Sequence, residues 1–444
     1  MHDDIKAAVA ADFTRTVSEL EAMVRIPSIS AADFNPDEVR RSANFVKSLL
    51  TEAGYDDARL LELDGAHPAV YAEKSGPEGA PTVLLYAHHD VQPPGPDDIW
   101  ETRPFEPVER DGRLYGRGTA DDKCGIAIHL STLRVLSEDL PVNVKVFIEG
   151  EEEIGSEHLV DFLDAYAELL GSDAIVIADA GNWRVGTPAL ATSLRGLVDC
   201  TVTVRTLENG VHSGSFGGIY PDANTALVRT LARLHNDDGS VAVEGLRSDD
   251  ADPLDFTIEE ANEQMLPVAG LEQIGKGSLT SRTWRQASIS VLAIDTVPIA
   301  KAINQLVPEA SAKVSMRIPP GQNVDDAMEA LVSHLQESAP WGSAVTVELG
   351  SKGDAFELDT SGKAYDAYRL GMAEGYGTAP LEVGVGGSIP FVAAFSERYP
   401  NASILLVGAA DPMSRYHGPN ESLELADLRS AIVAQAVALR ELAS

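Results

Sequence analysis

The stretch FIEGEEEIGS, residues 147–156, sets Glu149, Glu151, Glu152 and Glu153 directly behind the apolar run VKVFI, residues 144–148. The run reads as a buried strand. Several carboxylates facing one place beyond its end repel each other and need protonation or a cation to neutralise them. Whether the rest of the chain supplies that cation decides how the fold and its chemistry are read.

On both sides of this stretch, strand-like runs alternate with helical spacing. TRTVSELEAMVRI (14–26) carries a helical apolar pattern and stops at Pro27; a second helix spans Asp37 to Ala53 and ends at Gly54. ARLLEL, AVYAEK and PTVLLYAHHD read as strands, GIAIHLSTLRVL as a helix, HLVDFLDAYAELL as a helix and DAIVIADA as a strand. Strands alternating with helices predict an α/β fold with a mostly parallel central sheet, whose chemistry collects where strands give way to loops. After Arg195 the texture changes. LVDCTVTVRT, ASISVLAI and SAKVSMRI alternate with period two, and ANTALVRTLARLHN and residues 325–337 are helical. This predicts an inserted antiparallel α+β domain, with the polar stretch 247–264 as a loop or excursion. From about Phe356 the α/β texture returns and closes on a helix, DLRSAIVAQAVALREL.

The chain is 444 residues long and 44 % hydrophobic, enough for two or more domains. Its 69 Asp and Glu against 34 Lys and Arg give a formal charge of −35, which argues against nucleic acid or a membrane surface as partner. Salt adaptation would explain the acidity equally well, so it is no sign of a metal. Two cysteines, Cys124 and Cys200, leave no disulfide framework and no thiolate cluster. MHDDIKAAVAADF lacks the basic and long apolar regions of a secretory signal. No uninterrupted apolar run reaches the roughly 18 residues of a membrane span. The expectation is a soluble, cytoplasmic protein.

Acids and histidines then gather at the predicted strand ends. His88, His89 and Asp90 follow VLLY, and an H-x-D there lets imidazole bind metal while the carboxylate orients its other nitrogen. Ordinary loop chemistry gives the same triplet. In GRGTADDKCG, residues 116–125, Asp121 and Asp122 precede a helix, where one alternative is an N-cap. Asp179 follows AIVI, and His417 lies in SRYHGPNES beyond ILLVGAA. His88, Asp121, Glu153, Asp179 and His417 would offer two imidazoles and three carboxylates, a donor set that suits Zn²⁺, Mn²⁺ or Co²⁺, and a shared carboxylate would hold a pair of ions.

AHHDVQP, GRGTADDK, EGEEEIGS, the Asp of VIADAGNW, GVHSGSFGG, GGSIP and YHGPNE resemble, in order from His88 to Glu421, the motifs of a dinuclear-zinc metallopeptidase family. Its members include carnosinases, cytosolic non-specific dipeptidases, carboxypeptidase G, aminoacylases and succinyl-diaminopimelate desuccinylase. The resemblance implies a zinc-exopeptidase-like catalytic domain in two parts, 1–192 and 356–444, interrupted by a lid or dimerisation domain, 193–355. It implies two divalent ions, zinc first with manganese or cobalt as alternatives: His88 and Asp179 on one, Glu153 and His417 on the other, Asp121 between them. Glu152 would be the general base and Asp90 the support of His88. Glu149 and Glu151 receive no role and read as solvated or supporting carboxylates. A homodimer is implied, in which His212 of GVHSGSFGG would serve the partner subunit's site. Arg317 of KVSMRIPP would take the substrate's C-terminal carboxylate, and Ser388 and Gly387 of GGSIP would line the same pocket.

Two positions depart from the family pattern. Cys124 stands where glycine is usual, and Gly384-Val385 stand where the dipeptidase branch commonly has Arg-Glu, which puts in doubt any preference resting on that pair. Asp179 in place of glutamate, Gln92 in HHDVQP, and RTWRQASISV from Arg282 favour a dipeptidase over an N-acyl-amino-acid deacylase or desuccinylase. A non-catalytic metal- or peptide-binding protein is disfavoured because Glu152 is present beside all five ligand candidates. A two-metal phosphoesterase would want cationic groups for phosphate. The remaining histidines are expected to be structural, with His89 turned away from His88 by strand alternation.

Overall fold

The structure is a computed structural model and describes residues 2–55, 57–387 and 390–444. The chain forms two compact units. One comprises Met1–Thr192, Leu358–Val383 and Pro390–Ser444, the other Ser193–Glu357 with Gly384–Ile389.

In the first unit the sheet is parallel at its centre. Strands Asn143–Glu149, Thr82–His88, Ala174–Ile177 and Ser403–Leu406 lie side by side in that order, all parallel. Outside them, Ala69–Lys74 and Arg59–Leu61 add antiparallel at one edge, and Ala189–Leu194 adds antiparallel next to Ser403–Leu406. The central strands are buried along almost their whole length, which is why they read as continuous apolar runs rather than alternating ones. Because they run parallel, their C-terminal ends emerge at one edge, where His88, the Glu149–Glu153 turn and Asp179 follow in chain order.

Helices Asp3–Val24, Lys123–Val135, Lys363–Tyr376 and Leu425–Leu442 pack together beside the sheet. The first is longer than the sequence predicts. Ile5, Val9 and Phe13 extend the buried stripe of Thr16, Leu20 and Met23 backwards by about three turns at helical spacing. Asn35 caps the helix Pro36–Glu52, its side chain accepting the Asp37 amide, with proline in the first turn.

In the second unit an antiparallel sheet runs in the order Ser288–Asp295, Glu309–Ile318, Gly196–Arg205, Ala344–Gly353. Val198, Cys200, Val202 and Val204 point to one face, where helices Ala223–Ala232 and Val324–Glu337 close a separate core. The stretch 247–264 is not wholly loop, for a helix, Ile258–Met265, begins within it. Its start is a capping box in which Thr257 accepts the Glu260 amide and Glu260 accepts the Thr257 amide, a T-x-x-E signal present in the sequence. Among the described residues no helix is long and apolar enough to cross a membrane.

Candidate metal centre

His88 is the last residue of its strand and is fully buried. Its Nε2 lies 3.0 Å from Asp121 Oδ1, and its Nδ1 lies 3.1 Å from the Asp90 carbonyl and 3.3 Å from Asp90 Oδ1. The other Asp121 oxygen, Oδ2, lies 2.9 Å from His417 Nε2, which is also 3.0 Å from Glu153 Oε2. Glu152 Oε2 lies 4.0 Å from His88 Nε2. Candidate ligand atoms of His88, Glu152 and Asp179 fall within 4.8 Å of one another, as do those of His88, Asp121 and Glu153. One carboxylate therefore stands between two imidazoles, with an acid on either side.

Local structure explains how these groups are held. Asp90 is fully buried and accepts the backbone amides of Glu152 and Glu153, at 3.3 and 3.1 Å, while it also faces His88. It fixes the glutamate turn and the histidine together. Gln92 fixes Glu153 from the other side, its amide donating to Glu153 Oε1 and its side chain to the Glu153 carbonyl. The two aspartates of GRGTADDKCG divide the roles that the sequence leaves open. Asp122 caps the helix Lys123–Val135 by accepting the Gly125 amide and also accepts the His88 amide, whereas Asp121 faces the histidines. Lys123, wholly buried, donates to the carbonyls of Met23 and Ile26 and so ties the end of the first helix to this loop. His417 takes a left-handed backbone conformation, φ 62°, uncommon for a residue with a side chain.

The electrostatics record a surplus of negative charge. Burial would raise Asp121, but hydrogen bonds from His417 and His88 hold it below the usual carboxylate range. The same bonds to Asp121 and Glu153 lift His417 to about 10. His88 is raised as well, because its bonds to Asp121 and Asp90 outweigh burial. Asp179 is pushed up by burial and the Asp121 charge, and Glu152 to about 7 by burial with Glu153 and Asp121 beside it, against the pull of His88. Four carboxylates thus face two imidazoles. Divalent cations fit that imbalance, and oxygen and nitrogen donors without thiolate suit zinc, manganese or cobalt. Cys124 is not among the donors: it is buried, and its Sγ donates to the Ala120 carbonyl at 3.2 Å.

The other acids of the opening stretch are not solvated. Glu149 is buried and accepts from Tyr86 Oη at 2.6 Å, and burial raises it to about 8. Glu151 is buried and accepts from the His67 amide and pairs with His158 Nδ1. These bonds brace neighbouring segments, an arrangement that sequence spacing does not reveal. His89 bonds the Pro68 carbonyl and no site residue.

Four predicted positions belong to the second unit, three of them among the described residues. His212 is exposed, and its Nδ1 accepts the amides of Gly214 and Ser215, so the hydrogen of the neutral ring sits on Nε2. Arg317 lies on the strand Glu309–Ile318 opposite Leu197 and Ser288. Gly387 follows Gly386, whose carbonyl accepts from Arg195 Nε; Ser388 lies outside the described residues. At the Gly384-Val385 departure, a Cβ on Gly384 would come within 2.6 Å of Trp284 Cβ and Cγ. The room left by the missing side chain is taken by tryptophan.

With this geometry in view, similarity to known proteins is informative. The model of the family described as Peptidase family M20/M25/M40 matches residues 84–441. The chain is 33 % identical over 445 residues to a cysteinylglycine-S-conjugate dipeptidase of Corynebacterium striatum, covering 97 % of each. It is 29 % identical over 464 residues to a Cys-Gly metallodipeptidase of Schizosaccharomyces pombe, covering 96 % of this chain and 95 % of that one. Its fold matches the crystal structure of human carnosine dipeptidase 1 with a TM-score of 0.82 at 24 % identity, over 99 % of this chain and 98 % of the other.

Proposed function

Since the chain belongs to peptidase family M20/M25/M40 and is a metal-dependent dipeptidase, we propose that it hydrolyses the peptide bond of small peptides bearing a free C-terminal carboxylate. Two divalent ions would be held by His88 and Asp179 on one side and Glu153 and His417 on the other, with Asp121 shared. The observation that carries this reading is the Asp121 carboxylate, one oxygen toward His88 and the other toward His417. Zinc is proposed first, with manganese and cobalt suited to the same donors.

Bound there, divalent ions supply Lewis-acid polarisation of a carbonyl and acidify water. The chain's own residues do the rest. Glu152, set 4.0 Å from His88 Nε2, accepts the attacking water's proton and returns it to the leaving amine. Asp90 holds the backbone of that glutamate and keeps His88 oriented. In a homodimer, His212 of the partner subunit presents its Nε2 hydrogen to the carbonyl oxygen as negative charge develops. Arg317 receives the substrate carboxylate with its guanidinium fork, and Gly387 and Ser388 are assigned to the same substrate pocket. The two buried free thiols suit a reducing, cytoplasmic setting.

The test is amine release by zinc-reconstituted protein, with a chelator-stripped control, on two sets of substrates. One set is dipeptides, including Cys-Gly and β-Ala-His; the other is N-acylated amino acids. Cleavage of free dipeptides alone is expected. Cleavage of acylated substrates alone would replace this reading with a deacylase.

A further inference from the structure

Glu421 lies four positions after His417, and its side chain is fully buried. Its Oε1 accepts the amides of Gly118, Ala120 and Asp121 at 3.1, 2.9 and 3.1 Å. Its Oε2 lies 3.0 Å from the Gly118 amide and 2.6 Å from Arg117 Nη1. Successive backbone amides wrapped round an anion form a nest, and here the anion is a side chain from a distant part of the sequence. Gly118 makes the wrap possible: its φ is +85°, and a Cβ would meet Val91 Cγ1 at 2.7 Å.

The consequence is a direct tie between two loops. One ends in Asp121, whose own amide is among the donors; the other begins at His417. Arg117 reinforces the tie, its Nη2 donating to the Gly418 carbonyl. Arg113, on the strand just before that loop, reaches Asp411, Ser414, Ser422 and Glu424 in the same segment. An ion pair buried this completely contributes little net stability relative to apolar packing of the same volume. What it does supply is position.

We propose that Glu421 is a positioning residue for the metal centre, holding Asp121 and His417 at the separation that lets one carboxylate serve both sides. The proposal rests on the ligand assignment above and adds to it a residue that touches neither ion nor substrate. Groups that hold metal ligands in place typically change affinity by about 10- to 100-fold when replaced.

The test measures zinc stoichiometry and affinity by competition with a chromophoric chelator, independently of turnover. In Glu421→Gln, which loses the charge and turns an amide NH₂ toward donors, one of the two zinc ions is expected to bind at least ~10-fold more weakly. Glu421→Asp keeps the charge but draws it back by one methylene, and is expected to fall between Gln and wild type. That variant carries the test if the first does not fold. Asp12→Asn breaks another largely buried arginine–carboxylate contact, Asp12 with Arg134, away from the site, and is expected to lower thermal stability while zinc affinity stays at the wild-type value. Wild-type affinity for both ions in the Glu421 variants, or an equal loss in Asp12→Asn, overturns the proposal. Asp121→Ala separates the two levels: if it retains both ions at full affinity, the ligand assignment itself fails.

Discussion

Gln92 grips Glu153 at two points, its backbone amide on the carboxylate at 3.1 Å and its side-chain amide on the backbone carbonyl at 2.9 Å. The side-chain bond sets the backbone from which Glu153 reaches His417. Gln92→Ala removes that bond and leaves the other. A bond of this kind contributes about 0.5–1.5 kcal/mol, so zinc affinity at one of the two positions should weaken by roughly 2- to 10-fold. Isothermal titration of the metal-free protein would show it. Unchanged binding of both ions would mean that the glutamate turn needs only Asp90.

A mixture of two inactive variants tests how the subunits share work. Glu152→Gln should cut turnover by about 10²–10⁴ with metal content intact, and His212→Ala should lose oxyanion stabilisation of comparable size. If His212 serves the partner subunit's site, refolding the two together in equal amounts restores one whole site in each mixed dimer. About a quarter of wild-type activity should return. No recovery, from mixtures in which mixed dimers are demonstrated, would place the histidine's action within its own chain.

His129 sets a pH dependence of stability. Its Nε2 faces the Tyr86 carbonyl, which can only accept, so Nε2 carries the hydrogen; Nδ1 lies 3.1 Å from Gln435 Oε1, and a half-turn of that amide presents its NH₂ to the neutral ring. Burial lowers its pKa to about 4 from the ordinary 6.5. The unfolded chain therefore binds the extra proton between those values, and stability falls as pH drops from about 6.5 towards 4. At pH 5 the His129 share of that loss is about 2 kcal/mol. Unfolding free energies from urea titrations at pH 7.5 and pH 5 should differ less in His129→Gln than in wild type by that amount. Identical pH sensitivity in the two proteins would refute the assignment.

Gly384 and Trp284 should behave as a coupled pair. A Cβ at Gly384 would overlap the tryptophan, so Gly384→Ala should destabilise the protein by about 1–3 kcal/mol, the usual cost of overpacking. The same change made on top of Trp284→Ala should cost far less. A double-mutant cycle on thermal unfolding measures the difference, and strictly additive effects would exclude the contact.

Much of the centre was legible because its residues stand at strand ends. His88, Glu153 and Asp179 each follow an apolar run, and parallel strands bring such positions to one edge without further information. Asp121 and His417 lie in loops that could reach the same edge, and the ordered resemblance to a known family supplies their division between the two ions. What the sequence did not disclose is the support. Asp90 on the amides of Glu152 and Glu153, Gln92 on Glu153, and Glu421 on the amides of 118–121 are contacts between side chains and backbone groups up to some 300 positions away. Backbone amides carry no residue-specific signal, so such partners have no pattern to read. The burial of Glu149 and Glu151 was hidden for the same reason, since a row of glutamates beyond a strand looks solvated until Tyr86, His67 and His158 are seen against it. The helix at Ile258 is different, for its capping box was present in the letters and polar composition masked it.

The place of Ser403–Leu406 in the sheet has a consequence for synthesis. This strand pairs with Ala174–Ile177 on one side and meets Ala189–Leu194 on the other. It is made after the whole of 193–357, so the ribosome must deliver the second unit before the first can complete its sheet. Until then the growing chain holds a gap in the interior of the sheet, with two unpaired edges, rather than an unfinished border. A chain stalled or cleaved before residue 403 would keep that gap permanently, which makes premature termination a route to aggregation instead of a smaller active enzyme.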